Sequence, residues 1–431
     1  MTGAQDYFVH LGNLLNSEEL KHYRLSLKEN PTRAGWRLPW KRMAPHLREF
    51  PALSPHKDSF LLPAAFQPGK DPAWHAGIYY CQEPSALNSI QELLVHSSLP
   101  STFSRVLDLC SAPGGKTLLL RTVLEDGGVL ISNEVDSRRV RILRENIERA
   151  GILEVLTCSQ SPQALARDLQ GWAELVWVDA PCSGEALFRR NPELLEEWNF
   201  KEVQSCASRQ EKILLSALEI LQEGGILIYS TCTFNTIENE KVIHRTLEAA
   251  PDLELVSTRR FWPHRQEGEG QFVAILRKRG GGYLSPVTKR AKKISFEKGK
   301  ASSLTPFLSA LPPGQVSVSG DKIFYIPRSH QQMEWTGFRR GILVGRIKRG
   351  KKRLEIPAHA LAMLLEHSNQ FPSWEVSEEQ ASDFLRGREL NIENMDSGWV
   401  LITIHHQGLG WGKVVGSRVK NHYPSAFRIR E

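Results

Sequence analysis

Arg105-Val106-Leu107-Asp108-Leu109-Cys110-Ser111-Ala112-Pro113-Gly114-Gly115-Lys116-Thr117 carries the reading of the whole chain. Arg105–Leu109 is a short apolar strand, and from Gly115 to Leu124 the apolar spacing becomes helical. Between them the backbone turns tightly at two adjacent glycines, stiffened by Pro113. Such a turn presents free N–H groups to a ligand, and glycine permits its close approach. It is not a phosphate-binding P-loop, which needs glycine five positions before Gly115, where Cys110 stands. Nor does it carry G-x-G-x-x-G.

Strand and helix go on alternating from Ser104 to about Lys278. Val129–Ser132 reads as a strand, followed by a helix through Arg138–Ala150 with Val140, Leu143 and Ile147 on one face. Leu175–Val178 and Ile226–Ser230 are continuous apolar runs, as in strands buried on both faces of a parallel sheet. Ala207–Leu221 between them is helical in spacing. Asn235, with Glu238 three residues on, predicts a capping box opening a helix through Ala249. This pattern means a doubly wound, Rossmann-like α/β domain, with its ligands at the carboxyl ends of the strands. Residues 1–100 mix helical patches with many prolines, which argues against a regular sheet there and predicts an α/β positioning extension. The expected domains are 1–100, a catalytic domain over 101–278, a basic linker over 279–303, and a small β-rich domain over 304–431. In the last, Ile342–Ile347, Leu354–Ile356, Trp399–Ile404 and Lys413–Val419 read as strands around one helix near His359–Leu365.

The composition is that of a soluble globular chain: 431 residues, 41% hydrophobic and 24% charged. No apolar run is long enough for a membrane span, and Met1-Thr2-Gly3-Ala4-Gln5-Asp6 lacks the start of a signal peptide. Six cysteines without CxxC or zinc-like Cys/His spacing predict neither disulfides nor a metal site, and a reducing, cytoplasmic setting. The net charge of +7 is unevenly placed. Residues 277–300 hold nine Lys/Arg against the single acid Glu297, and 339–353 hold eight basic residues and no acid. Residues 1–276 are net acidic. Basic stretches behind a catalytic region suit phosphate contacts.

Two cysteines end strand-like segments: Cys182 in Asp179-Ala180-Pro181-Cys182-Ser183-Gly184, and Cys232 in Ser230-Thr231-Cys232-Thr233. Two thiols beside an acid and a glycine-rich loop suit methyl transfer to C5 of a pyrimidine. A thiolate adding to C6 makes C5 nucleophilic, an acid holds N3 or N4, and a base takes the C5 proton. Chemistry alone does not say which cysteine attacks. Together with Cys110–Thr117, these segments resemble the NOL1/NOP2/Sun family of RNA cytosine-5 methyltransferases. His75–Ser85, Trp262–Arg265 with Glu267–Gly270, Gly408–Lys413 and Val419–Pro424 are similar to the bacterial RsmF branch of that family, whose carboxy-terminal domain is PUA-like. Arg33–Pro39 departs most from the branch pattern.

The resemblance implies that Cys110, Ser111, Ala112, Pro113, Gly114, Gly115 and Lys116 contact S-adenosyl-L-methionine. Glu134 is placed to accept from the two ribose hydroxyls. An acid is expected near the adenine after the third strand, where this chain offers only Gln160. Asp179 is assigned to the cytosine ring and the neighbourhood of the cofactor, Cys232 to the covalent bond, and Cys182 to product release. Arg189, Arg190, Asn191, Arg209 and Gln210 match family positions suited to phosphates and the flipped nucleotide. The expected substrate is RNA, specifically 16S rRNA in the small ribosomal subunit, acted on by a monomer. Transfer RNA is the alternative. A DNA methyltransferase, and a catalytically silent RNA-binding assembly factor, are the readings from other classes.

Overall fold

The computed structural model describes residues 3–53, 58–280, 303–331, 333, 337–338, 341–348 and 354–430. They form two compact units interleaved along the chain. One gathers the described residues within Met1–Ala34, Gln82–Leu143 and Thr157–Arg290, and the other those within Gly35–Cys81, Arg144–Leu156 and Ala291–Glu431.

The first unit is built on seven strands: β1 (Phe103–Asp108), β2 (Leu124–Asn133), β3 (Val155–Cys158), β4 (Ala173–Asp179), β5 (Leu221–Thr231), β6 (Leu253–Phe261) and β7 (Gln271–Lys278). Their order across the sheet is β3-β2-β1-β4-β5-β7-β6. β1 pairs in parallel with β2 and β4, and β4 with β5. β7 inserts antiparallel between β5 and β6. The predicted apolar runs are the buried centre of this sheet: Leu107, Val176, Trp177, Leu227 and Ile228 are fully enclosed. Chain order reverses between β1 and β4, so a crevice opens at their carboxyl ends. Asp108 ends β1, Asp179 ends β4 and Thr231 ends β5. The three sequence motifs therefore meet at one edge.

Two amino-terminal helices, Gly3–Leu11 and Ser17–Ser26, belong to this unit. Their Tyr7 and Tyr23 hydroxyls bond at 2.8 Å, and both rings enter a buried cluster with Phe188, Trp198, Phe234 and Trp262. Phe188 and Phe234 follow Cys182 and Cys232 closely in sequence, so this aromatic packing fixes the segments that carry both thiols.

In the second unit, three short strands, Ala34–Arg37, Ser59–Leu61 and Tyr79–Cys81, form a sheet where prolines argued against one. The strands are only three or four residues long, and Pro39, Pro45, Pro51, Pro63, Pro68 and Pro72 all lie outside them. A four-stranded and a five-stranded sheet follow from Gly314 onward. Phe60 and Tyr79 share one core with Phe384, Val400, Ile402 and Tyr423. Beyond the predicted helix, here His359–Met363, a second covers Glu378–Leu385, capped by Ser377 and Gln380. Lys413–Val419 is not one strand. It divides into Gln407–Val415 and Arg418–Asn421 because Gly416, at φ 59°, turns the chain back. Nor does Asn235 open a helix: helix Glu240–Ala249 begins after Asn239. Residues 281–302 of the basic linker expected over 279–303, and residues 339–340 and 349–353 of the second basic stretch, lie outside the described residues. Among the described residues, no helix is long and apolar enough to cross a membrane.

Gly408 is glycine because of a neighbour. A Cβ built on it would stand 1.9 Å from the Ala362 carbonyl oxygen, a backbone atom that cannot swing aside. Gly408→Ala should therefore destabilise the second unit by roughly 2 kcal/mol or more, through overpacking. Urea denaturation followed by tryptophan fluorescence would measure it, and an unchanged midpoint would contradict the packing argument.

Candidate active site

The loop after β1 is held from three sides. Leu109 N–H donates to Trp177 O (2.9 Å), and Ser111 N–H and Oγ both donate to Asn133 O (2.9 and 2.7 Å). Asn133 then joins β1, β2 and β3. Its Nδ2 donates to Leu109 O and Gln160 O (3.1 Å each), while its Oδ1 accepts from Gln160 N–H (2.9 Å). Sequence reasoning passed over Asn133, whose role depends on three separate strand ends meeting. Gly114 adopts φ 117°, a conformation open to glycine, and helix Gly115–Leu120 starts without a side-chain cap. Those uncapped amides, with the small Ser111, Ala112 and Gly115, fit a carboxylate-bearing cofactor such as S-adenosylmethionine. Desolvation, with the nearby Asp108, Asp179 and Glu134, pushes the Cys110 thiol above its ordinary range.

Glu134 is buried at the end of β2. Its carboxylate pairs with Arg139 (3.0 Å) and accepts from Asp136 N–H (3.0 Å), and Arg139 also donates to Ala112 O (2.7 Å). The acid proposed for ribose is thereby oriented on the cofactor loop. Gln160 sits beside the loop, anchored through its own backbone.

Asp179 ends β4 level with Ser230 of β5. Its Oδ2 meets Lys116 Nζ at 2.8 Å, and its Oδ1 accepts from Ser230 Oγ (2.7 Å) and Gln271 Nε2 (3.3 Å). Burial alone would pull the Lys116 ammonium down, but the Asp179 carboxylate overrides it and holds the lysine above its ordinary range. Lys116 thus ties the cofactor loop to the residue proposed for the base.

Cys182 and Cys232 come together, Sγ to Sγ, at 3.1 Å. The hydrogen bond to Cys232 and then burial push the Cys182 thiol well above its ordinary range. Two buried acids lock the loops around them. Glu185 accepts from Phe234 N–H (2.6 Å), Asn235 N–H (3.0 Å), Asn235 Nδ2 (2.8 Å) and Trp198 Nε1 (3.0 Å). Glu238 accepts from Ser183 N–H (3.0 Å) and Ser183 Oγ, Gln210 Nε2 (2.8 Å) and Asn235 Nδ2 (2.8 Å). Half of the predicted capping box forms, Glu238 N–H donating to Asn235 Oδ1 (2.8 Å), and its return bond does not. Asn235 N–H, the donor such a box needs, goes to Glu185, and the Glu238 carboxylate turns to the Cys182 loop. Gln210 also donates to Pro181 O (3.0 Å), so it braces the loop from inside, whereas Arg209 is exposed. Arg189 is buried and faces Glu269 (3.8 Å) and Glu29 (3.9 Å) at ion-pair distance, and Arg190 and Asn191 are exposed. Cys158 and Cys206 are buried and Cys81 exposed, away from this pairing.

The profile of the 16S rRNA methyltransferase RsmB/F family matches residues 99–277, and that of the methyltransferase RsmF PUA domain residues 371–429. Ribosomal RNA small subunit methyltransferase F of Vibrio cholerae is 30% identical over 378 residues, covering 81% of this chain and 79% of the relative. That of Aliivibrio salmonicida is 28% identical, covering 81% and 78%. The chain belongs to the RsmB/F methyltransferase family. Its members are S-adenosylmethionine-dependent rRNA cytosine-C5 methyltransferases, and the enzyme ends in the PUA domain of the RsmF branch. Among solved structures, a methyltransferase homologue from Pyrococcus horikoshii is 26% identical with a TM-score of 0.53, over 61% of this chain and 92% of that one. NSun6 from the same organism, solved with SFG, shares the fold at 18% identity and a TM-score of 0.53, over 65% and 98%.

Two predictions rest on the buried acids. Glu238→Ala removes an acceptor from four donors; Gln210 Nε2 keeps Pro181 O, Asn235 Nδ2 keeps Glu185 and Ser183 Oγ keeps Thr233 Oγ1, while Ser183 N–H loses its partner. Stability should fall by roughly 1–3 kcal/mol by denaturant titration, the cost of one orphaned buried group. A loss below about 1 kcal/mol would mean the loops do not depend on it. Asp108 is completely buried, and its Oδ2 accepts from Thr117 Oγ1 at 2.6 Å. Burial pushes its carboxyl from 3.8 up to about 7. Between those values the folded protein holds a proton the unfolded chain has released. Asp108 therefore subtracts stability as pH rises through that window, at most about 1.4 kcal/mol per pH unit. Asp108→Asn removes that slope, so the variant should gain on the wild type between pH 4.5 and 7.5 in paired urea melts. A pH-independent difference would show that this carboxyl does not titrate there.

Proposed function

We propose that Cys232 is the nucleophile and Cys182 the acid–base partner in methylation of cytosine C5 in 16S rRNA. The observation that carries this reading is the 3.1 Å contact between the two sulfurs beside Asp179. Cys182, its thiol held high by the contact with Cys232 and by burial, keeps its proton within reach of Cys232 Sγ. Cys232 Sγ then adds to C6. Asp179, steadied by Lys116, Ser230 and Gln271, holds N3 or N4 of the ring. After C5 is methylated, water takes the C5 proton, that electron pair re-forms the C5–C6 double bond, and Cys232 leaves C6 as a thiolate that the Cys182 S–H stabilises. When bound, S-adenosylmethionine supplies the methyl group. Residues 110–116 hold it, with Glu134 on the ribose and Gln160 near the adenine.

The substrate reading takes the RNA as 16S rRNA presented in the small ribosomal subunit, modified by a cytoplasmic monomer. It draws on the names of the relatives and on the PUA domain. A paired cytosine hides C5 and C6 in the stack, so the target must be unpaired or flipped, at a cost of about a few kcal/mol.

Cys232→Ala should abolish methylation and covalent capture of RNA, whereas Cys182→Ala should accumulate a protein–RNA adduct that survives denaturing gels. An adduct from Cys232→Ala with none from Cys182→Ala would reverse the roles. Bisulfite sequencing of rRNA and tRNA from a strain lacking the gene tests the substrate. Loss of a 16S rRNA 5-methylcytosine is expected; loss at a tRNA position alone would overturn the rRNA assignment and leave the chemistry standing.

A further inference from the structure

We propose that the second unit binds one divalent transition-metal ion of the zinc type through His46, Glu378 and His405. One ligand atom from each of these residues lies within 4.8 Å of those of the other two. Metal bonds of about 2.1 Å place tetrahedral ligands about 3.4 Å apart, so closing the site asks for little more than about 1 Å of movement. Glu378, whose side chain is 55% exposed, is free to make that movement by rotation. Two imidazoles and one carboxylate are a set zinc accepts readily, with the fourth position left to water.

The surroundings carry the features such a site needs. His405 Nε2 lies 2.8 Å from Glu378 Oε1, yet off the line of a hydrogen bond. This buried nitrogen therefore has no hydrogen-bond partner, although a carboxylate stands against it. Asp71 Oδ2 is 3.3 Å from His46 Nε2 and is itself fixed by the Tyr79 hydroxyl (2.9 Å). A carboxylate bonded to a histidine ring in this way is the usual support of a metal-ligating imidazole. Asp71 and Glu378 set two carboxylates beside the two imidazoles, an arrangement that suits a dication. His46, Asp71 and Glu378 also line a cleft of about 560 Å³ with Phe66, Gln67 and Lys70, which gives an ion a way in.

The backbone agrees. His405 and His406 form the two-residue turn between strands Gly398–Ile404 and Gln407–Val415, at φ 50° and 64°. Asn-Gly is the usual occupant of such a turn, and side chains branching from the left-handed region are strained. The ligands come from positions 46, 378 and 405, so no local spacing betrays them in the sequence. An ion there would staple the segment around His46 to the PUA domain within this unit.

The test uses full-length protein with Cys182 and Cys232 changed to serine, so that the thiol pair cannot compete for metal. After stripping with a chelator, zinc is titrated against a chromophoric indicator, and cobalt is added separately as a spectroscopic probe. One equivalent of zinc should bind at micromolar affinity or tighter, and raise the melting temperature. Cobalt should give d–d bands without thiolate charge transfer. Glu378→Gln, at an exposed position that does not threaten folding, should weaken zinc at least tenfold, and His46→Gln with His405→Gln should abolish the thermal shift. Substoichiometric binding, or equal affinity in the parent and Glu378→Gln, would overturn the proposal.

Discussion

Two buried carboxylates hold this active site together. Glu185 and Glu238 receive eight hydrogen bonds between them, from backbone and side-chain donors in the Cys182 loop, the Cys232 loop, Trp198 and helix Phe200–Ile220. A buried carboxylate is costly unless donors surround it. Here each supplies the acceptors that loop amides would otherwise lack, so charge and loops stabilise each other. Removing either partner exposes the cost of the other. The 3.1 Å approach of the sulfurs is a consequence of this, because neither loop has regular secondary structure to fix it.

The cofactor side is coupled to the same frame through polar residues at strand ends. Asn133 links the first three strands, and Lys116 reaches from the glycine loop to Asp179 on the fourth. Displacing the loop would move Lys116, and with it the charge that balances Asp179. The doubly wound topology makes this economical: only at the reversal between β1 and β4 do loops from both halves of the sheet face one crevice.

Much of this was legible in the amino-acid sequence, and the division has a physical basis. The strands beneath the site were readable because burial on both faces demands unbroken apolar runs, as in Leu175–Val178 and Ile226–Ser230. The family followed from the cysteine motifs and the glycine loop. What escaped were polar contacts between residues far apart in the chain. Asn235 and Glu238 have the spacing of a helix cap, and only the arrival of Ser183 and Gln210 redirects the acid. The strands of the second unit's first sheet are too short for alternation to register among their prolines. His46, Glu378 and His405 share no local pattern at all.

The environment also gives the two proposed thiol roles a physical ground. A single cysteine must be both a good nucleophile and a good leaving group, and one pKa cannot serve both steps equally. A second thiol in contact relieves that conflict by holding a proton near the first. Its own proton must then be firmly bound, which is the direction in which Cys232 and burial push Cys182. Lys116 complements this from the other side, because a thiolate on Cys232 adds to the Asp179 charge that keeps the lysine protonated. The nucleophile would thus lie between a proton donor and a fixed cation. That arrangement requires both strand-end loops and the cofactor loop to be in place together.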